Sequence, residues 1–253
     1  MSGIAISCVV PVYNEGGSIA PTVARLDAAL SGVCGPGGYE ILVVDDGSRD
    51  GALEGLALPA QARLLRHPVN RGYGAALKTG IRQARKPTVL ICDADGTYPL
   101  EELPRLAEAY REPVLVVARR NSLNYPRWHA PKILARQLLQ LWLLLLTGKL
   151  IEDINSGFRL FSRTAVLPLL DELSDRFSFT TGLTLCWIYG RQPIVYVPTP
   201  YHLRAGQSKV NFLRDGLRLF QLTVRITWRR SPLRLLGPAA VLLVLAWLGA
   251  ASR

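Results

Sequence analysis

Val89-Leu90-Ile91-Cys92-Asp93-Ala94-Asp95-Gly96-Thr97-Tyr98-Pro99 carries an apolar, β-branched run straight into two carboxylates and a glycine turn. With Pro87 just before it, the run reads as a buried strand, and the polar residues mark its end. Residues two apart on an extended backbone point to the same side, so Asp93 and Asp95 can converge on one cation while Ala94 points away. Oxygen-only ligands favour a hard ion such as Mg²⁺ or Mn²⁺, which keeps water and takes its remaining ligands from a substrate phosphate. Taken alone, the stretch would sooner suit a solvated acidic turn; in the company of the flanking motifs it predicts a site for a metal-bound diphosphate.

The flanking sequence supplies the context. Ile4 to Val10 is a strand pattern ending at Pro11-Val12-Tyr13-Asn14-Glu15-Gly16-Gly17, after which Ser18 can cap a helix carrying Ile19, Val23, Leu26 and Leu30. Tyr39 to Val44 runs into Asp45-Asp46-Gly47-Ser48, and Arg63 to Arg66 is followed by Asn70-Arg71-Gly72-Tyr73-Gly74 and a helix from about residue 75 to 84. The Val89 strand is the fourth, a helix follows from Pro99 to Tyr110, and Val114 to Ala118 is the fifth. This alternation predicts an α/β fold, Rossmann-like, with a mostly parallel central sheet and helices on both faces. Ligands of such sheets sit beyond the carboxyl ends of the strands, so Tyr13, Asn14, Glu15, Asp45, Asp46, Arg71, Asp93 and Asp95 are expected along one rim.

At 253 residues with a formal charge of +11, the chain can hold one large domain plus an appendage. The charge is uneven: from Tyr201 to Arg253 there are nine Lys or Arg against Asp215 alone. These basic residues alternate with long apolar ones, a pattern that suits an anionic membrane surface and argues against a nucleic-acid partner. Cys8, Cys34, Cys92 and Cys186 form no C-x-x-C pair, so neither a zinc site nor a disulfide framework is expected. Met1-Ser2-Gly3 leads directly into a strand, and no signal peptide is expected.

Leucine-rich residues 133–146 predict a helix that is either buried or interfacial. A polar turn from Lys149 to Gly157 precedes a strand at Phe158 to Phe161, then a helix near Ser178 to Tyr189 and a strand from Pro193 to Val197. Residues 211–231 predict an amphipathic basic helix at the interface, with Leu213, Leu217, Phe220, Val224 and Trp228 in its apolar arc. Residues 235–251 carry no charge and approach the length of a single transmembrane helix, with arginines on the side that stays in the cytoplasm. A helical hairpin partner or a homo-oligomer contact is the alternative. The domains are then 1–210 (catalytic, with an interfacial helix near 131–147), 211–231, and 232–253.

Val10-Pro11-Val12-Tyr13-Asn14-Glu15, Val43 to Gly51, Asn70 to Ala76 and Asp93-Ala94-Asp95-Gly96, taken together, resemble a family 2 glycosyltransferase of the GT-A fold. Asp153-Ile154-Asn155-Ser156-Gly157-Phe158-Arg159 and Arg204-Ala205-Gly206-Gln207-Ser208-Lys209 are similar to the dolichyl-phosphate mannosyltransferase branch and its bacterial polyprenyl-phosphate glycosyltransferase relatives. The resemblance implies transfer of a sugar, with inversion, from a UDP- or GDP-sugar to a polyprenyl phosphate at the cytoplasmic face of the inner membrane, with membrane lipids as a further partner. It places Pro11, Tyr13, Glu15 and one or both of Asp45 and Asp46 at the nucleoside, with Arg71 and Ala94 beside the donor. Asp93 and Asp95 take the Mg²⁺ or Mn²⁺ on the diphosphate. Arg204, with Ser208 and Lys209, grips phosphate charge.

Arg119 follows the fifth strand at the cleft rim and is the candidate for the acceptor phosphate, with Arg120, Arg127, Lys132, Arg136 and Ser156 as helpers and Asp153 orienting the loop. A lipid phosphate is already ionised at neutral pH, so no general base is required, and His67, His129 and His202 are read as surface or packing residues. Thr97 stands where the mannosyl synthases carry Gln, and Pro131-Lys132 stands in place of a second acceptor arginine. Two rivals remain: a family 2 enzyme that extends another glycan with Asp153 as base, and a non-catalytic nucleotide-sugar-binding protein.

Overall fold

A computed structural model describes residues 3–51, 53–120, 130–200, 212–240 and 247, with side chains for all of these except 130–136 and 212–215. Seven strands make one sheet: β1 (Ile6–Val12), β2 (Tyr39–Asp45), β3 (Ala62–Arg66), β4 (Thr88–Ile91), β5 (Leu115–Arg120), β6 (Arg159–Ser162) and β7 (Ile194–Thr199), in the order β3-β2-β1-β4-β6-β5-β7. The helices are α1 (Ile19–Cys34), α2 (Tyr73–Gln83), α3 (Leu103–Ala109), α4 (Ala130–Thr147), a single turn α5 (Arg163–Val166), α6 (Phe179–Tyr189) and α7 (Phe212–Arg230).

β1 runs parallel to β2 and β4, β2 to β3, and β5 to β7, as the alternation of strands and helices predicts. β6 is the exception, antiparallel to both β4 and β5. That reversal matters for the site. The chain leaves β5 at the carboxyl rim, passes through α4 and re-enters β6 from the same rim, which brings residues 152–158 to the cleft edge.

Every residue of β1, β2 and β4 is buried, as expected of strands covered on both faces. Val9, Leu42, Val44, Val89 and Ile91 face the layer of α2 and α6. Cys8, Val10, Ile41, Val43 and Leu90 face α1 and α3. Strand alternation thus divides one run of apolar residues between two cores.

α1 buries Ile19, Val23, Leu26 and Leu30 as its spacing predicts, and Thr22 with them. Ser18 stands at its N-cap, but the hydroxyl donates back to Glu15 O (3.1 Å) and does not cap a helix N–H, a correction to the expected role. All four cysteines are free.

α6 is buried from Phe179 to Ile188, which fits a helix with little polar surface. α7 lies against it through Leu222, Thr223, Ile226 and Thr227, and Tyr189 Oη is 2.7 Å from Thr227 Oγ1. A bidentate pair joins Arg230 to Glu172 (2.9 and 2.6 Å). Trp142 of α4 donates to Thr223 Oγ1 (2.9 Å) and packs on Phe220. The described part of α7 is therefore a packed helix, with Arg218, Arg225 and Arg229 outside. Of its expected apolar arc, Leu217, Phe220 and Trp228 remain exposed. Among the described residues no helix is long and apolar enough to cross a membrane, and most of segment 235–251 lies outside them.

Candidate active site

The loops after β1 and β2 are tied together at the rim. Asp46 N donates to Val12 O (2.8 Å), Asn14 N to Ser48 Oγ (3.1 Å), Arg49 N to Asn14 Oδ1 (2.9 Å) and Gly16 N to Asp50 Oδ2 (3.0 Å). Asn14 adopts φ +52°, a conformation its short amide side chain tolerates. Beside these loops lies a cleft of about 300 Å³ lined by Asp45, Ser48, Arg49, Glu54, Arg66 and His67. Pro11 is buried in β1, and Tyr13 and Glu15 are half-exposed.

Asp45 and Asp46, adjacent in sequence, differ in their contacts. Asp45 accepts from Ser48 N (2.8 Å) and lies on the cleft wall, with Arg66 Nε 3.9 Å away. Asp46 is turned inward: it accepts from Arg71 N (2.9 Å), Gly72 N (2.7 Å) and His67 Nδ1 (2.7 Å), while His67 Nε2 lies 2.9 Å from Thr79 Oγ1. The carboxylate pins the 70–72 loop. Gly72 adopts φ +113°, and a Cβ there would strike Asp175 O at 2.4 Å, so this turn requires glycine. His67 is buried, as a packing residue should be, but its hold on Asp46 is not visible in sequence.

Asp93 and Asp95 follow β4, next to β1 in the sheet, and both are partly exposed. Thr22 Oγ1 donates to Ala94 O (3.2 Å), which ties their turn to the first turns of α1 beside the Tyr13 loop. Tyr73 Oη donates to Asp93 Oδ1 (2.9 Å), and burial, with the neighbouring Asp93 charge, raises that phenol well above its usual pKa. On the other side Gly157 abuts Asp93 so closely that a Cβ would lie 2.4 Å from Oδ2. Thr97, in the place of the mannosyl synthases' Gln, donates N–H and hydroxyl to Asp95 Oδ1 (3.1 and 2.7 Å). Two carboxylates, each oriented by a hydroxyl, suit a hard divalent ion. Among the described residues no group of three or more His, Cys, Asp or Glu is placed to hold a metal, so water and a diphosphate would supply the other ligands.

Opposite them, two arginines at the end of β5 meet two consecutive acids. Arg120 grips Asp153 in a bidentate pair (Nε to Oδ2 and Nη2 to Oδ1, both 2.8 Å), and Asn155 N also donates to Oδ1 (3.1 Å). Burial alone would raise the Asp153 carboxyl, but the Arg120 hydrogen bonds and charge outweigh it and hold the pKa below the usual value. Arg119 meets Glu152 through Nη1 alone (2.9 Å).

Arg159, fully buried, holds this turn from beneath. It donates to Ser156 O (2.6 Å), Ile154 O (2.7 Å) and Asp153 O (3.4 Å) in the turn, and to Thr180 O (3.1 Å) and Thr184 Oγ1 (2.7 Å) in α6. Ser156, expected at the acceptor, is fully buried, and its hydroxyl accepts from Phe158 N (3.3 Å), a turn-forming position. The Arg136 side chain and Arg127, Arg204, Ser208 and Lys209 lie outside the described set.

Residues 7–167 match the family model for Glycosyl transferase family 2. The undecaprenyl-phosphate 4-deoxy-4-formamido-L-arabinose transferase of Pseudomonas fluorescens (strain SBW25) is 32% identical over 242 residues, covering 92% of this chain and 67% of that one. The transferase of the same name from Serratia proteamaculans (strain 568) is 28% identical over 237 residues, covering 92% and 70%. Among solved structures, glucosyl-3-phosphoglycerate synthase from Mycobacterium tuberculosis, in complex with Mn²⁺, UDP and phosphoglyceric acid, has a TM-score of 0.66 at 20% identity, covering 90% of this chain and 78% of that one. The fold is thus of the GT-A type, and this chain belongs to glycosyl transferase family 2.

Proposed function

We propose that the enzyme moves a sugar from a nucleoside-diphosphate donor to the phosphate of a polyprenyl lipid. The observation that carries this reading is the Arg120–Asp153 pair. A glycan hydroxyl needs a base to take its proton, and the carboxylate placed for that work is locked in a bidentate ion pair with a lowered pKa. An acceptor phosphate arrives already ionised and needs only positioning and charge compensation. The names of the undecaprenyl-phosphate transferases support the same acceptor class.

In this reading the cleft beside Asp45 takes the nucleoside, with Pro11, Tyr13 and Glu15 shaping its approach. Asp46 keeps the 70–72 loop in place for the donor. Asp93 and Asp95 would hold a divalent cation, which when bound neutralises charge on the leaving diphosphate. Arg119 receives the acceptor phosphate, and Asp153 acts by holding Arg120 and the 153–157 turn.

The outer faces of α4 and α7 supply a place for the lipid. Leu138, Leu141 and Leu144 on α4 and Leu217, Phe220 and Trp228 on α7 are all exposed, with Arg225 and Arg229 beside them. Apolar side chains rimmed by arginines suit the headgroup region of an anionic bilayer, on the cytoplasmic side where the donor is found.

The test incubates the protein with labelled nucleotide sugars and Mn²⁺ or Mg²⁺, offers undecaprenyl phosphate and a glycan acceptor in parallel, then extracts the lipid. Label in the lipid phase that disappears with Asp95→Asn supports the reading. Label appearing only on a glycan hydroxyl acceptor selects the base-catalysed alternative.

A further inference from the structure

Two neighbouring arginines at the end of β5 meet two neighbouring acids in different ways. The Arg120–Asp153 pair is bidentate and closed, with side chains 26% and 6% exposed. The Arg119–Glu152 pair has one contact of 2.9 Å between side chains 37% and 42% exposed. In this pose Arg119 Nε is buried and makes no hydrogen bond. A buried N–H without an acceptor is unfavourable, so the contact to Glu152 opposes a cost within its own arginine. Exposed single-contact ion pairs are weak and readily exchanged.

A phosphate differs from a carboxylate in the two respects that this arrangement leaves unmet. It carries more charge, and its three oxygens can engage two edges of a guanidinium, Nε included, where Glu152 engages one nitrogen. Glu152 itself is anchored. It follows the buried Ile151 and precedes the locked Asp153, and Tyr196 of β7 lies nearby, its phenol raised to about 12 by burial against the opposing Arg159 charge, with smaller contributions from the Glu152 and Asp153 charges. Glu152 therefore stays near the rim when Arg119 leaves it.

We propose that Glu152 is a placeholder counter-ion: it holds Arg119 until the acceptor's phosphate displaces it, and so lowers the enzyme's affinity for the phosphorylated lipid while leaving that for an uncharged one unaffected. The inference deepens the reading of Arg119 as the acceptor-phosphate residue and rests on it. With Glu152 in place, a neutral polyprenol cannot break the pair, whereas a dianion can. Removing the carboxylate removes both the competitor for Arg119 and a like charge beside the incoming phosphate.

The test measures binding of farnesyl phosphate and farnesol to the full-length protein carrying Glu152→Gln, Arg119→Gln or both, with thermal unfolding alongside. Glu152→Gln is expected to tighten farnesyl phosphate binding about two- to fivefold, the scale of an exposed ion pair, and to leave farnesol binding and Tm unchanged. The gain is expected to vanish in the Arg119→Gln background. Unchanged or weaker phosphate binding in Glu152→Gln overturns the proposal, as does a gain that persists without Arg119 or extends equally to farnesol. If Arg119→Gln alone leaves farnesyl phosphate affinity unchanged, the assignment of Arg119 itself fails. If Arg119→Gln weakens binding and Glu152→Gln does not strengthen it, only the placeholder role fails.

Discussion

His67 Nδ1 lies 2.7 Å from Asp46 Oδ1, with both side chains buried, and the same carboxylate accepts the N–H groups of Arg71 and Gly72. Removing the imidazole leaves a buried carboxylate short of one donor, which costs roughly 1–3 kcal/mol. His67→Ala is expected to lower stability by that amount in denaturant titration and to raise the donor KM several-fold as the 70–72 loop loosens. His67→Gln, which can still donate to Asp46, should recover part of both.

Gly157 offers a cleaner probe of the carboxylates after β4. A Cβ there meets Asp93 at 2.4 Å from Oδ2 and 2.7 Å from Oδ1, the far end of a side chain that can swing away. Gly157→Ala should therefore fold normally but displace Asp93. Changes in the groups that orient a metal's ligands weaken binding roughly 10–100-fold, and a Mn²⁺ titration followed by calorimetry or by activity should show a loss of that order with Tm nearly unchanged.

The Asp153 pair gives a pH signature. Its folded pKa lies below the usual carboxylate value, so its contribution to stability is complete above the unfolded pKa of about 3.9 and is lost as pH falls through the folded value. Asp153→Asn removes the Asp153 charge from Arg120 and is expected to cost about 1–3 kcal/mol at pH 7, the range for a hydrogen bond lost to a charged group. Urea unfolding of both proteins should show this gap at pH 7 and a smaller one on acidification below about pH 4.

Much of this arrangement was legible in the sequence, for identifiable reasons. Val89 to Ile91 and Tyr39 to Val44 are apolar runs ending in acids, and a parallel sheet collects such ends on one rim, so the grouping of Tyr13, Asp45 and Asp93 followed from periodicity. The direction of β6 did not follow. A four-residue run, Arg159 to Ser162, carries no mark of whether it enters from the rim or the far side. Nor could sequence separate Asp45 from Asp46: the difference depends on His67 and the 70–72 loop, more than twenty residues away. Arg218, Arg225 and Arg229 of α7 are exposed, as an amphipathic basic helix requires. What sequence could not supply was that Leu222 and Ile226 dock on α6 and leave Trp228 outside.

That outward face carries its own prediction. Leu141 and Trp228 are 53% and 67% exposed, so replacing both with Glu should leave Tm unchanged. Flotation with vesicles containing anionic lipid should show binding by the wild type and a marked loss in the double variant. Equal flotation of the two would show that these faces do not meet the membrane.

In the proposed reaction the acceptor supplies its own negative charge, because Asp153 is committed to Arg120. Initial rates with undecaprenyl phosphate and with undecaprenol, at pH 7 with the same labelled nucleotide sugar and metal, test it most directly. The expected result is transfer to the phosphate and none above background to the alcohol. Comparable transfer to the alcohol would mean that a base is at work and that Asp153 is not held out of the chemistry by Arg120.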